Sequence, residues 1–213
     1  YMNNSNADRL NFVPIFWVED NDHDSIEASQ TTFLNNENEI IHLKCSDNIF
    51  KDEKICVSER NFDDSILDKI AQIESLLPQT EFKIDIIKKL KEIYTPGKSW
   101  VDAFIELLNS WFADMGLLFV SSAVLRKQGH FSSLVKLELE NPGHTLSLIE
   151  QANRHLESNN YHIQAKASHI NLFYHSGKER HKIKYDDKNP NQYEINGQKY
   201  TGEQIINLAE TQP

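Results

Sequence analysis

Residues 12–24 read Phe12-Val-Pro-Ile-Phe-Trp-Val18, followed at once by Glu19-Asp-Asn-Asp-His-Asp24. The first part is rich in β-branched and aromatic residues, a pattern typical of a buried strand. The apolar run then stops abruptly, because five of the next six residues can carry a charge. In open α/β sheets, ligands bind in the crevice beyond the carboxyl ends of the strands. The stretch therefore predicts a core strand that ends at a candidate site.

Two interpretations of the polar cluster after this strand stay open. Acidic residues after a strand often form a solvated turn or the start of a helix, where the helix dipole favours carboxylates. However, His23 lies between Asp22 and Asp24, which would hold its ring for general acid or base chemistry. Phe16 and Trp17 would add apolar walls, and apolar surface with convergent polar groups is the usual composition of a small-molecule site.

The overall composition narrows the class of protein. The chain has 213 residues, 39% of them hydrophobic and 25% charged, which is typical of a globular protein. Its formal net charge of -10 argues against duplex nucleic acid as the main partner, because neutralising phosphates needs a basic face. No apolar run approaches the about 20 residues that span a bilayer, and no signal peptide is visible. We therefore expect a cytoplasmic protein that binds neither nucleic acid nor membrane.

Cysteines and histidines form no recognisable catalytic or metal-binding pattern. Cys45 and Cys56 lie in short strand-like segments without a Cys-x-x-Cys spacing, so we expect buried, reduced thiols. His155, His162, His169, His175 and His181 recur in the last third of the chain, but their spacings match no standard ligand set, and we assign no metal. Neither a P-loop nor a Gly-x-Gly-x-x-Gly motif is present.

Periodicity and turn residues divide the chain into three segments. Residues 1–60 carry the core strand, the polar site loop and a small β segment, whereas residues 61–115 are helical. Residues 116–213 supply the second part of the core, with a β-hairpin and a helix at the C-terminal end. The alternation of strands and helices predicts an α/β fold with a partial parallel-sheet core and with helical and small β insertions.

Individual elements follow from the same signals. Apolar residues at helical spacing predict helices at residues 24–35, 65–77, 82–94, 99–114, 122–139 and 145–158. Strand-forming residues predict further strands at residues 39–45, 54–58, 117–120, 161–175 and 182–185, with a polar Asp-Asn turn between the first two. Asn196-Gly197 predicts a type I′ hairpin over residues 193–200, and Thr201 is placed to cap a last helix.

Three polar residues of the last third are candidate ligand contacts. Arg180 stands in a short basic run after a strand, which is either a solvated turn or a place for a phosphate or carboxylate group. Gln164 and Asn171 lie in the strand-like segment, as amides that are either satisfied structurally or directed at a ligand.

Several motifs taken together resemble one family. Val13-Pro-Ile-Phe-Trp17 with Asp22-His-Asp24 resembles the pattern VPVFW…EDHD of the cysteine-adding enzymes of bacillithiol biosynthesis, the BshC family. Further matches follow in the family's order: Tyr94-Thr-Pro-Gly-Lys-Ser-Trp100, Ala103-Phe104, Gly116-Leu-Leu-Phe119, Tyr161-His-Ile-Gln164, Asn171-Leu-Phe-Tyr174 and Arg180. Asn21 replaces the first acid of the family pattern, next to Glu19 and Asp20. The family's TGQQ…GPLY and SPN…RP stretches and its long coiled-coil helices are not in the chain, which resembles the middle of a member.

The resemblance implies both a fold and a reaction. The fold is a Rossmann-like core similar to that of nucleotidyltransferases, interrupted by connecting insertions. The reaction is the condensation of L-cysteine with glucosaminyl malate, in which the amine must lose a proton and the cysteine carboxylate must be activated, possible agents being ATP or another nucleotide. A fragment of such an enzyme is expected to be inactive alone, and a homodimer would form through regions outside it. Tyr1 before Met2 also indicates a piece of a longer protein.

The resemblance also suggests residue roles. His23, held by Asp22 or Asp24, is the predicted proton acceptor or the group that orients the activated carboxylate. The predicted substrate contacts are Trp17, Glu19, Asn21, Gln164, Asn171 and Arg180. Two alternatives stay open, a binding module for a nucleotide or thiol precursor without catalysis, and a metal-dependent hydrolase that uses the Asp22, His23 and Asp24 cluster.

Overall fold

Two compact units make up the computed structural model, which describes residues 12–45 and 55–211. The first unit extends to Ala123 and the second begins at Val124. Each unit has a hydrophobic core of its own. The division into segments 1–60, 61–115 and 116–213 stays a prediction. Within the described residues, every helix is too short or too polar to cross a bilayer.

A parallel pair of strands organises the first unit. β1 (Ile15–Val18) pairs with β4 (Leu118–Ser121), so that Val18 lies opposite Ser121. The predicted parallel pairing of the two apolar runs is therefore confirmed. The burial that such apolar runs predict is wrong for most of both strands. In β1 only Val18 is buried, whereas Ile15, Phe16 and Trp17 are exposed. In β4 Leu118 is exposed and the rest is half-buried. Among the described residues this sheet has two strands, which leaves much of each strand uncovered.

A β-hairpin follows the polar loop where a longer helix was expected. α1 (Ser25–Ala28) ends after one turn, and β2 (Gln30–Leu34) pairs antiparallel with β3 (Ile40–Lys44). The helix predicted over residues 24–35 is therefore wrong beyond Ala28. The physical reason is the run Thr31-Thr-Phe33, because β-branched and aromatic residues favour a pleated strand when a partner strand is available.

The strand predicted at residues 54–58 is also wrong in its described part. Val57–Glu59 forms a 3₁₀ turn, and its amides bond to the loop after β1 instead of to a neighbouring strand. Neither Cys45 nor Cys56 lies within a strand, and the partner of β3 in the described residues is β2. The polar turn predicted between them, near Asp47, lies outside the described residues.

Three amphipathic helices complete the first unit and confirm the predicted ones. They are α2 (Ser65–Leu76), α3 (Lys83–Ile93) and α4 (Trp100–Phe112). Ser99 caps α4 as predicted, with its hydroxyl oxygen accepting from the Asp102 backbone N–H. The core of the unit consists of Phe62, Ile66, Ile70, Ile93, Trp100 and Ala103.

Helices of the second unit are shorter than predicted. The helix expected over residues 122–139 divides into α5 (Ser122–Lys127) and α6 (Ser132–Glu140). Gly129 lies between them with φ of 74°, a left-handed conformation that glycine adopts without steric cost and that ends a helix. α7 (His144–Ser158) agrees with the predicted helix at residues 145–158.

Small antiparallel sheets form the rest of the second unit. β5 (Phe173–Ser176) pairs with β6 (Glu179–Lys182), and a second sheet has the order β7 (Lys184–Tyr185), β8 (Gln192–Ile195), β9 (Gln198–Thr201). The strand predicted over residues 161–175 is therefore present only at its end. Its long N-terminal part forms neither helix nor strand.

The hairpin and cap predicted near the C-terminal end are confirmed. Asn196 and Gly197 have φ of 49° and 81°, as the type I′ turn between β8 and β9 requires. α8 (Gly202–Thr211) begins with a reciprocal cap. The Gln204 amide N–H donates to Thr201 Oγ1 at 3.2 Å, and the Thr201 N–H donates to Gln204 Oε1 at 2.8 Å.

Replacement of Ile70 by Ala should destabilise the first unit strongly. Ile70 is 3% exposed in the core cluster, whereas Leu67 on the same helix is 49% exposed. We expect Ile70→Ala to lower the free energy of unfolding by about 2–5 kcal/mol, because it leaves a cavity. Leu67→Ala should cost less than about 1 kcal/mol. Urea unfolding followed by tryptophan fluorescence measures this, and equal midpoints for the two variants would contradict the described core.

Candidate functional site

A buried polar network joins the carboxyl ends of β1 and β4. Asp20 follows β1 directly and is 2% exposed. Its Oδ2 accepts from Ser121 Oγ at 2.6 Å, and its Oδ1 accepts from Ser122 Oγ at 2.9 Å and from the Ala123 N–H at 2.8 Å. Asp20 thus binds a backbone N–H in the first turn of α5, a group that no partner inside the helix can satisfy. The carboxylate fixes the end of one strand to the end of the other.

The loop after β1 is held by its neighbours. Asn21, which is buried, donates from Nδ2 to Ser122 Oγ at 2.7 Å, and its carbonyl oxygen accepts from Cys56 Sγ at 3.1 Å. The 3₁₀ turn adds two backbone bonds, from the Val57 N–H to the Asp22 carbonyl at 2.8 Å and from the Ser58 N–H to the Asp20 carbonyl at 3.0 Å. The loop therefore keeps one backbone shape, which fixes the directions of its exposed side chains.

Three donors orient the carboxylate of Glu19. Its Oε2 accepts from Trp17 Nε1 at 3.0 Å, and its Oε1 lies 3.1 Å from Ser122 Oγ and 3.3 Å from the Asn21 N–H. Ser122 has one hydroxyl proton, so it donates at any moment either to Glu19 or to Asp20. Glu19 itself remains exposed, so its charge is fixed in direction and open to a ligand.

A cleft with a volume of about 530 Å³ opens beside this loop. Its aromatic walls are Phe16, Trp17, Phe62, Tyr94, Trp100 and Phe104, and its carboxylates are Glu19, Asp20, Asp24 and Glu27. Among the described residues the lining contains no Lys, Arg or His. Burial raises the pKa of the Tyr94 phenol, which therefore stays neutral at pH 7. An apolar cavity with a few placed polar groups is suited to a small molecule.

The predicted catalytic group lies in the same loop. Asp24 lines the cleft, whereas His23 and Asp22 are not among its lining residues. His23 is exposed, with Nδ1 at 3.0 Å from Asp22 Oδ1, and the same oxygen accepts from the His23 backbone N–H at 2.7 Å. Within the described part of the chain, the structure pairs His23 with Asp22 and records no contact of its ring with Asp24.

Asn171, Gln164 and Arg180 belong to the second unit. The side chain of Asn171 is used internally, because Nδ2 donates to Glu138 Oε1 at 3.1 Å and Oδ1 accepts from the Ser168 N–H at 2.9 Å. Gln164 is exposed in the irregular segment before β5. Arg180 is half-buried, with its guanidinium 4.3 Å from the centre of the Phe173 ring, a cation–π contact. The ligand-binding roles of the three stay predictions.

Both cysteines are free thiols, as predicted. Cys56 is fully buried, and Cys45 is half-buried. Burial raises the pKa of the Cys45 thiol, which lowers its thiolate fraction and its reactivity. In residues 12–45 and 55–211, no three His, Cys, Asp or Glu side chains are grouped closely enough to hold a metal ion.

The sequence prediction leaves out Ser121 and Ser122, which complete the network. Their position in the sequence could have indicated this role. The two serines directly follow the apolar run at 117–120, just as the acidic residues directly follow the apolar run at 12–18. Parallel strands bring their carboxyl ends to one edge of a sheet, so both sets of polar residues meet there.

Comparison with known proteins decides the family. Residues 3–213 match the family model for the N-terminal Rossmann-like domain of BshC, described as a protein of bacillithiol biosynthesis. The chain belongs to the BshC family. The α/β, Rossmann-like fold expected from the sequence is therefore confirmed, with the parallel pair β1 and β4 as its described core sheet.

Relatives from several bacteria are named as cysteine ligases, BshC. The protein from Salinibacter ruber is 28% identical over 201 residues, which cover 94% of this chain and 36% of that protein. The one from Chlorobaculum tepidum is 29% identical over 206 residues, with shares of 95% and 36%. The one from Staphylococcus aureus is 27% identical over 212 residues, with shares of 94% and 37%. The chain thus spans a little over a third of the length of these BshC relatives.

Removal of the Asp20 carboxylate should destabilise the first unit. Asp20→Ala leaves the buried Ala123 N–H without its acceptor and removes the bonds that join the ends of the two strands, and we expect a loss of at least about 2 kcal/mol in the free energy of unfolding. Asp24→Ala is the matched control, because Asp24 is exposed and its side chain caps no helix N–H, so its effect should stay within about 0.5 kcal/mol. Thermal unfolding measures both, and equal losses would contradict a structural role for Asp20.

Proposed function

We propose that the chain is the Rossmann-like part of a cytoplasmic ligase that joins L-cysteine to glucosaminyl malate through an amide bond. The observation that carries the proposal is the acidic, aromatic cleft beside the loop that follows β1, in a member of the BshC family. The relatives' name, cysteine ligase, supports cysteine as one substrate. Glucosaminyl malate is proposed as the second substrate because the resemblance to the family implies it, and the family's description as part of bacillithiol biosynthesis supports this choice.

His23 is the proposed proton acceptor. The amino group of the sugar is protonated near neutral pH and must lose a proton before its nitrogen can attack the activated carboxyl carbon. Because His23 Nδ1 lies 3.0 Å from Asp22 Oδ1, we assign the ring proton to Nδ1, which leaves the lone pair of the neutral ring on Nε2. An exposed imidazole held in this way can take up a proton at Nε2, while the Asp22 carboxylate stabilises the imidazolium that forms.

The cleft does not fit the phosphates of a nucleotide. A nucleotide would supply the activation of the cysteine carboxylate, but phosphate groups need cations or clustered backbone N–H donors. The cleft instead carries the carboxylates of Glu19, Asp24 and Glu27, which repel phosphate. No step at this cleft is therefore assigned to a nucleotide.

Arg180 and Gln164 of the second unit remain proposed contacts for substrate anions and amides.

The proposed activity belongs to the full-length protein. The chain spans about 36% of the length of its relatives, so by itself it is expected to be inactive. A homodimer, if the enzyme forms one, would use parts outside this chain. Experiments on activity therefore use the whole native gene product.

Replacement of His23 should abolish product formation. Full-length protein is incubated with L-cysteine, glucosaminyl malate and a nucleotide, and bacillithiol is detected by mass spectrometry. We expect His23→Ala to lower turnover about a hundredfold or more, because general base catalysis is lost. The matched control is His155→Ala, an exposed histidine in the last turn of α7, which should leave turnover unchanged.

Different outcomes separate the proposal from its rivals. Wild-type turnover by a folded His23→Ala protein would exclude His23 as the base. Binding of cysteine or glucosaminyl malate in a thermal-shift titration, with no product from the wild-type protein under any nucleotide, would favour a binding module without catalysis.

A further inference from the structure

The cleft of the first unit has an excess of negative charge. Four carboxylates from the described residues line the cleft. That of Asp20 is buried and accepts hydrogen bonds from hydroxyl and backbone donors, whereas those of Glu19, Asp24 and Glu27 are exposed. No cationic side chain lines the cleft in the part of the chain that the structure describes. A cleft lined by one sign of charge raises the local concentration of ligands of the opposite sign. The lining therefore selects a cationic group.

Glu19 is the carboxylate best placed to receive that cation. Its two oxygens are held by Trp17 Nε1, Ser122 Oγ and the Asn21 N–H, so it needs no reordering when a ligand arrives. Trp17 itself is 50% exposed and lines the same cleft. A ligand bound at Glu19 therefore has an exposed indole ring beside it, on which an apolar face of the ligand can pack.

One buried polar group of the lining has no hydrogen-bond partner among the described residues. Trp100 is 5% exposed and lines the cleft, and its indole N–H has no hydrogen-bond partner among the described residues. A buried donor without an acceptor costs free energy, which an oxygen atom of a ligand or a water can recover. The cleft therefore offers recognition for a ligand that carries oxygen atoms as well as a cationic group.

Both substrates of the proposed reaction carry an amine, and their size and shape distinguish them. L-cysteine is a small amino acid without a ring, whereas the amino sugar has a ring whose apolar faces can pack on an aromatic wall. The cleft has a volume of about 530 Å³ and six aromatic side chains in its lining, so the amino sugar fits it better.

We propose that the cleft binds the amino sugar, with its ammonium group on the Glu19 carboxylate and its ring against Trp17. The identity of the sugar rests on the proposed function, whereas the preference for an ammonium group rests on the lining alone. Glu19 in this role binds and positions the amine, and it takes no part in bond making.

A pair of sugars that differ only at nitrogen tests the inference. Full-length protein is titrated with glucosamine, which is cationic, and with N-acetylglucosamine, which is neutral, by ligand-observed NMR. We expect the wild-type protein to bind glucosamine roughly tenfold or more tightly, as a charge-assisted contact allows. Glu19→Gln should remove that preference and leave N-acetylglucosamine binding unchanged, since glutamine can still accept from the Trp17 indole.

The control variant is Glu81→Gln. Glu81 is exposed in the turn before α3 and does not line the cleft, so this variant should keep the wild-type preference. Equal binding of the two sugars by the wild-type protein, or an unchanged preference in Glu19→Gln, would overturn the inference. Displacement of glucosamine by equimolar L-cysteine would also overturn it, because the cleft would then belong to the other substrate.

The product assay on the same samples separates this inference from the proposed function. Product formation without any sugar preference would refute the cleft assignment and leave the ligase proposal standing. A preference that Glu19→Gln abolishes, together with no product from the wild-type protein, would support the ammonium site and refute the ligase.

Discussion

The carboxylate of Asp20 is the contact on which the arrangement of the first unit depends. A buried charge is tolerated only when donors or a counter-ion replace the lost water. Here two hydroxyl groups and one backbone N–H do so, from Ser121, Ser122 and Ala123. Because these donors lie 101–103 positions away in the sequence, the same bonds bring the ends of β1 and β4 together. Where two parallel strands end side by side, the loop between them and the solvent becomes a candidate site.

The same network gives neighbouring polar residues different tasks. Asp20 and Asn21 are buried and serve the loop itself, while Glu19 is turned outward and held by three donors. Beyond them, the exposed His23 and the half-buried Asp22 form a pair next to the cleft-lining Asp24. A segment of six polar residues thus contains two structural residues, a proposed binding acid and a candidate base. Sequence position alone does not distinguish among them, because the partners that decide each role come from β4 and from the 3₁₀ turn.

The parts of the fold that the sequence predicts are those with strong local signals. Long amphipathic helices such as α4 and the Asn196-Gly197 turn follow from periodicity and from residues that accept positive φ. Parallel pairing of the two apolar runs follows from strand and helix alternation. The short segment after Asp24 is different, because its helix and strand tendencies are nearly balanced and the pairing of Thr31-Thr-Phe33 with β3 decides the outcome.

The candidate site is predictable in position and less so in detail, for the same reason. Its location at the end of β1, with Trp17, Glu19 and Asp24 at the cleft, follows from the sequence. The hydrogen bond from Ser122 to Asp20 joins segments that are distant in the sequence. The same is true of the hydrogen bond from the Asn171 amide to Glu138. A single sequence contains the residues that form such contacts, but it does not indicate which distant residues contact each other.

Binding an amine and deprotonating it make opposite demands on a site. A carboxylate beside an ammonium group favours the charged form, so the proposed contact of the amino sugar with Glu19 would also hold its proton in place. The nitrogen becomes a nucleophile only when a different group takes that proton, so the proposal does not use Glu19 as both anchor and base. His23 is the group proposed for the second demand, because its Nδ1 lies 3.0 Å from Asp22 Oδ1 and it belongs to the same loop as Glu19. The proposed division of labour between Glu19 and His23 therefore follows from the charge balance of the cleft.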